Sequence, residues 1–234
     1  MFHFEEGEVF LIDKPLDWTS FDAVNLIRAV IKRYHGIRKL KVGHAGTLDP
    51  LATGLLIICT GRMTKQIDNF QAQEKVYTGT MLLGQTTPSY DLESEPDAFF
   101  PTDNITEEMM EEARQSFIGD ILQRPPKFSA IKIQGKRAFE YARSDKEIAL
   151  KERLIHIEDF KIDTTNFPEV MFEVKCSKGT YIRSLVHDFG KAPNSGACMT
   201  SLRRTKIGDF SVENARDLME LKKEIIETGI LETQ

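Results

Sequence analysis

Apolar residues along this chain follow two spacings. Short continuous runs, VFLI within EVFLID (8–13) and LLIIC (55–59), have the length and flanks of buried strands. KVYTGTMLL (75–83) predicts a third strand. EVMFEVKCS (169–177) alternates at Val170, Phe172, Val174 and Cys176, as a half-buried strand does. Helical spacing governs elsewhere. Ala23, Val24, Ile27, Val30, Ile31 and Tyr34 share one face of a helix that starts at Thr19 or Ser20 and stops at Gly36, and Thr19-x-x-Asp22 fits a capping box. Met109, Met110, Ala113 and Phe117 mark the inward face of a helix over 104–118. GQTTPSYDLESEPD (84–97) is polar and turn-rich, and reads as a loop. FSAIKIQGKRAFEYAR (128–143) predicts a strand, a turn at Gln134–Gly135 and a short basic helix. TYIRSLVHDFG after Gly179 predicts a helix, followed by a strand near 198–207 and a last helix near 214–228. Hairpin-like neighbours outnumber strand–helix–strand units, so the fold class is α+β with a largely antiparallel sheet.

The 234 residues suit one large domain, with room for insertions. No apolar run approaches the ~18–20 residues of a membrane helix, and the acidic start MFHFEEGEVF lacks the layout of a signal peptide. A cytoplasmic protein is expected. Cys59, Cys176 and Cys198 form no CxxC pair, which favours buried thiols over disulfides or a zinc knuckle. The five histidines make no HxH or HExxH pattern, so neither metal nor cofactor is expected. A net charge of −5 argues at first against a nucleic-acid partner. The acid is concentrated, however. Residues 91–120 hold ten acids and one base, whereas residues 121–212 hold seventeen bases and eleven acids. That distribution permits a basic face, and a solvated surface accounts for it equally well.

GHAGTLDPLATG (43–54) carries the candidate chemistry. A loop rich in glycine, threonine and proline has few accessible shapes and can aim a side chain at a fixed point. Asp49 is then a catalytic carboxylate with His44 beside it. TLDP also suits an ordinary Asx turn, in which the aspartate serves backbone N–H groups. Spacing alone leaves both readings open. The GxxxxGK[ST] pattern of a phosphate cradle is absent.

The loop resembles the catalytic motif of the TruB family of pseudouridine synthases. FLIDKPLDWTS, KVYTGTMLLGQTT, RPPKFSAIKIQGKRAFEYAR, SKGTYIRSLVHDFG and SLRRTKIGDF accompany it in the family's order, across most of residues 8–211. The resemblance implies a pseudouridine-synthase fold, a mixed and mostly antiparallel sheet flanked by helices, in a single catalytic domain over 1–234. It implies an RNA-gripping insertion at about 124–153 and a C-terminal helix and tail at 212–234, with no C-terminal PUA-type domain. The implied reaction turns the T-loop uridine of tRNA (position 55) into pseudouridine. It cleaves C1′–N1, rotates the base and joins C1′ to C5.

By the same resemblance, Asp49 is the catalytic carboxylate, acting as nucleophile or as counter-charge to the sugar. Arg183 is its ion-pair partner. Tyr77 stacks on the base and helps remove the C5 proton. His44 enters the space left by the flipped nucleotide. Tyr181 and Leu202 line the pocket, and Lys14 with Pro15 braces the site. Lys127, Lys132, Lys136, Arg137 and Arg143, together with Arg203, Arg204 and Lys206, are the expected phosphate contacts. The implied partner is the T-arm and T-loop of tRNA, bound by a monomer with no obligate protein partner and no membrane.

Overall fold

The computed structural model describes residues 1–129, 132–133, 136–137 and 150–231. In chain order the elements are β1 (Val9–Lys14), α1 (Ser20–Tyr34), β2 (Val42–His44), β3 (Ala52–Thr60), α2 (Ile67–Ala72), β4 (Lys75–Leu83), β5 (Gln85–Thr86), β6 (Ala98–Phe99), α3 (Glu107–Ser116) and β7 (Gly119–Gln123). There follow β8 (Lys132–Ile133), β9 (Lys136–Arg137), β10 (Arg153–Asp163), β11 (Glu169–Cys176), α4 (Ile182–Lys191), β12 (Ala197–Ile207), β13 (Phe210–Ser211), β14 (Arg216–Asp217) and α5 (Leu218–Leu231). The chain divides into two compact units, Met1–Tyr77 with Arg203–Gln234, and Thr78–Leu202. Strands β4 and β12 each give residues to both.

In the first unit β1 pairs antiparallel with β3, from Val9 opposite Cys59 to Lys14 opposite Gly54. β14 lies parallel on the other side of β1, and β2 pairs with β3. The run LLIIC is apolar throughout because its two faces enter two cores. Leu56 and Ile58 pack with Ile12, Ile27, Ile31 and Leu221. Leu55, Ile57 and Cys59 pack with Ala45 and Ile207. α1 forms where its pattern predicts, and the Thr19–Asp22 capping box satisfies its first turn in both directions. The final helix starts at Leu218 rather than near 214. A short 3₁₀ turn (Val212–Asn214) and the pairing of β14 with β1 occupy the residues before it.

In the second unit β7, β10 and β11 form an antiparallel ladder, and residues 78–83 of β4 lie beside β11. Val170, Phe172, Val174 and Cys176 are all buried, as their alternation predicts. β10 was not predicted, and its geometry explains why. A bulge shifts the register between Ile157 and Asp159, so the inward residues run Ile155, Ile157, then Phe160, and the period of two breaks midway. α3 starts at Glu107, capped by the Thr106 side chain, and buries Met110 and Ala113; Met109 and Phe117 are only half-buried. Beyond Ile133, Lys136 and Arg137 belong to a strand paired with β8 instead of the expected helix. The predicted turn at 134–135 and residues 138–143 lie outside the described residues.

Candidate active site

The loop carrying Asp49 leaves β2 at His44 and returns in β3. Gly46 has φ +92°, and the Ala52 N–H donates to the Asp49 carbonyl at 3.0 Å to close a turn over Pro50 and Leu51. Leu48 is buried, and one hydroxyl clamps its backbone in both directions. Ser20 Oγ accepts from the Leu48 N–H at 2.8 Å and donates to the Leu48 carbonyl at 3.1 Å. The start of α1 therefore fixes the residue before Asp49.

The residue after it is fixed by Lys14, whose side chain is fully buried at the end of β1. Its Nζ donates to the carbonyls of Trp18 (2.6 Å), Pro15 (2.8 Å) and Pro50 (3.4 Å). The Asp17 N–H adds a bond to the Pro50 carbonyl at 2.9 Å. Burial lowers the Lys14 pKa to about 8, opposed chiefly by attraction to Asp49. The bracing expected of Lys14 and Pro15 thus takes the form of one ammonium tying two loops together.

Arg204 holds the loop from its other end. It was expected to reach phosphate, but it is 1% exposed. Nε donates to the Leu55 carbonyl at 2.8 Å and Nη2 to the Gly46 carbonyl at 3.1 Å. Gly54 passes so close that a Cβ would sit 2.3 Å from the Arg204 carbonyl oxygen, and its φ is +101°. Arg203 is engaged as well, with both Nη atoms on the Asp13 carboxylate at 2.6 and 3.0 Å. Of that basic triplet only Lys206 is exposed. His44 is half-buried, and its pKa is lowered first by burial and then by the Arg204 charge, against a backbone hydrogen bond at Gly46. It is a neutral ring, suited to stacking. Tyr77, buried in β4, is the last residue of this unit's first segment.

Tyr181, Arg183 and Leu202 belong to the second unit. Tyr181 precedes α4 in extended backbone, and the buried amide of Gln123 grips it. Gln123 Oε1 accepts from the Tyr181 N–H at 2.8 Å and Nε2 donates to the Tyr181 carbonyl at 3.0 Å. Arg183, in the first turn of α4, is buried with its guanidinium 3.4 Å from the Asp91 carboxylate. It donates to the carbonyls of Ser89 at 3.2 Å and Phe128 at 2.8 Å. Leu202 is 8% exposed in β12. Sequence reasoning passed over Asp91 and Gln123. Asp91 sits in a stretch that reads as polar loop, and its burial beside Arg183 is a tertiary fact with no local signal. Among the described residues no three His, Cys, Asp or Glu side chains cluster as a metal site, and no helix is long and apolar enough to cross a membrane.

The architecture and this loop define a class. Residues 32–182 match the model of the TruB family pseudouridylate synthase N-terminal domain, and residues 183–233, from α4 through α5, match that of the tRNA pseudouridylate synthase B C-terminal domain. The chain is 56% identical to tRNA pseudouridine synthase B of Flavobacterium johnsoniae over 214 residues, covering 91% of this chain and 93% of the relative. It is 55% identical to tRNA pseudouridine synthase B of Phocaeicola vulgatus over 212 residues, covering 91% and 90%. Among solved structures, a chain of a Cbf5-Nop10-Gar1 complex superposes with a TM-score of 0.69 at 27% identity, covering 97% of this chain and 60% of that one. These matches span both units. The protein belongs to the TruB family of pseudouridine synthases.

Proposed function

We propose that this protein is the synthase that converts the T-loop uridine of tRNA, position 55, to pseudouridine. The observation that carries the reading is the anchoring of Asp49. Leu48 is clamped by Ser20, Pro50 is held by Lys14 and Asp17, and Gly46 is held by Arg204. Such a loop presents a carboxylate with little freedom to retreat, which is what attack at, or charge stabilisation of, a ribose C1′ requires.

In this reading the target nucleotide leaves the folded T-loop and His44 fills the gap it leaves. Asp49 acts at C1′ as the C1′–N1 bond breaks, and Arg183 pairs with its carboxylate. The base rotates against the Tyr77 ring, C5 bonds to C1′, and the Tyr77 hydroxyl assists departure of the C5 proton. Tyr181 and Leu202 shape the pocket. The reaction is redox-neutral and consumes no co-substrate, so these side chains supply its chemistry. The enzyme acts as a monomer in the cytoplasm on the T-arm, where recognition rests on loop shape and on phosphate contacts.

Tritium release from tRNA carrying 5-tritiated uridine, with carbodiimide mapping of the product, tests this directly. Release confined to the T-loop position, and lost in Asp49→Asn with the thermal midpoint retained, is the expected result. Salt-sensitive tRNA binding without release would mark an RNA-binding protein that has kept the scaffold. Normal turnover by Asp49→Asn would remove Asp49 from the chemistry.

A further inference from the structure

Tyr90 adopts φ +66°. A non-glycine residue in the left-handed region is uncommon and strained, so something holds it there. Its backbone closes a turn, with the N–H donating to the Thr87 carbonyl at 3.1 Å and the carbonyl accepting from the Met199 N–H at 2.9 Å. The hydroxyls of Thr87 and Ser89 both donate to the carbonyl of the next residue, Asp91, at 2.6 and 3.2 Å. None of this needs an aromatic ring. The ring instead lies flat on the imidazole of His187, with centroids 3.7 Å apart and planes inclined by 12°.

His187 follows Arg183 by four residues on α4, one turn along the same helix face. Consecutive loop residues therefore meet consecutive turns of the helix: Tyr90 on His187, Asp91 on Arg183. The Nδ1 of His187 is buried with no hydrogen-bond partner among the described residues, so that atom does not orient the ring. Burial pushes the His187 pKa down to about 4, which keeps a second positive charge away from Arg183 at neutral pH.

We propose that Tyr90 and His187 are positioning residues whose stack seats loop 87–91 on α4, so that Asp91 and Ser89 hold the Arg183 guanidinium in one direction during turnover. The proposal rests on the reading that Arg183 serves the isomerisation, and the test separates the two.

Steady-state tritium release is measured for Tyr90→Gly, Tyr90→Phe, His187→Ala, His187→Phe and Arg183→Lys, with thermal midpoints alongside. Glycine relieves the left-handed backbone while deleting the ring, so stability and turnover should part company. Tyr90→Gly is expected to lose kcat by about 10–100-fold, the scale of a small misplacement near reacting groups, with KM for tRNA within about twofold. Tyr90→Phe, which keeps the stack, should restore kcat. His187→Ala should fall and His187→Phe recover in the same way; this pair carries the test on its own if Tyr90→Gly does not fold. Parental kcat in Tyr90→Gly or His187→Ala would overturn the proposal, as would losses confined to KM or a Phe variant no better than its truncated counterpart. Arg183→Lys reads the other claim. If it keeps parental turnover, Arg183 is not required, and the assignment of Arg183 falls together with the role of the stack. If it loses turnover while Tyr90→Gly keeps it, the stack alone is refuted.

Discussion

Replacing Arg204 by methionine separates a buried brace from a phosphate contact. The guanidinium donates to two carbonyls, of Leu55 and Gly46, and is essentially out of solvent. Hydrogen bonds to a charged group are worth about 1.5–3 kcal/mol each, and each carbonyl left unsatisfied costs about 1–3 kcal/mol. Against this, methionine fills much of the space and removes the desolvation penalty of a buried cation, several kcal/mol before pairing. The balance is a destabilisation of about 3 kcal/mol, which in a chain of this size lowers the thermal midpoint by about 6–12 °C. Turnover should fall as well, because the Gly46 carbonyl belongs to the loop carrying Asp49. The dependence of tRNA affinity on salt should stay unchanged, since no phosphate contact is lost. Lys206→Ala should do the reverse. Its side chain is exposed, so stability should hold within about 0.5 kcal/mol, while the slope of log affinity against log salt drops by about one if it meets a phosphate. Thermal unfolding and a binding series from 50 to 200 mM salt (about the range over which such slopes are read) decide it. An Arg204→Met protein with an unchanged midpoint and a shallower salt slope would refute the assignment of Arg204 as a brace.

Further outcomes follow from the same geometry. Lys14 has its pKa lowered from 10.5 to about 8 by burial. Its contribution to stability is therefore complete above pH 10.5 and is lost as pH falls through about 8. Turnover should move the opposite way and decline above about pH 8, as the charge beside Asp49 disappears; a kcat profile flat to pH 9.5 (about 1.5 units past that value) would contradict the role given to Lys14. Gly54→Ala places a Cβ 2.3 Å from the Arg204 carbonyl oxygen in backbone at φ +101°, and should cost at least about 2 kcal/mol in denaturant unfolding. Gln123→Met removes both bonds to the Tyr181 backbone and should cost about 2–4 kcal/mol. Gln123→Glu keeps the acceptor for the Tyr181 N–H but sets a buried carboxylate against the Tyr181 carbonyl, so it should cost at least as much at neutral pH, and a near-neutral Gln123→Glu would contradict the two-way grip.

Legibility in the sequence followed the range of the forces involved. α1 was readable to within a residue because its signals are local: a capping box at one end, a glycine just past the other, and one apolar face between them. β3 and β4 were readable because both are long and apolar or alternating, and β11 for its clean alternation. β10 was not, because its bulge moves the inward set by one residue and leaves no period to find. β7 was not, because only its last residue, Gln123, is buried. The residues proposed for chemistry were visible through motif resemblance, not through physics. A buried Asp91 and an exposed Glu93 look alike from local sequence, and what separates them is an arginine 92 positions further along.

The same limit explains the misreading of LRRTK, and the structure shows what decides such a case. Alternation along β12 does not do it, since Arg204 and Lys206 share a face by parity, yet one is buried and the other exposed. The difference is made by what lies opposite. The Arg204 backbone runs against Gly54, and its guanidinium reaches the carbonyl of Gly46. The missing side chain at Gly54 lets the Arg204 backbone approach, and at Gly46 the guanidinium lies at ordinary contact distance from where a Cβ would stand. Gly54 and Arg204, 150 residues apart in the chain, are thus complementary parts of one packing unit: the glycine that bends the end of the Asp49 loop also admits the backbone of its brace. A chain with this loop and a small apolar residue at 204 would leave the Gly46 and Leu55 carbonyls buried without that donor. A chain with the arginine and a bulkier residue at 54 would have no space beside its backbone. The loop therefore depends for its shape on an arginine shut off from solvent, whose guanidinium holds the Gly46 and Leu55 carbonyls while its charge also disfavours protonation of His44.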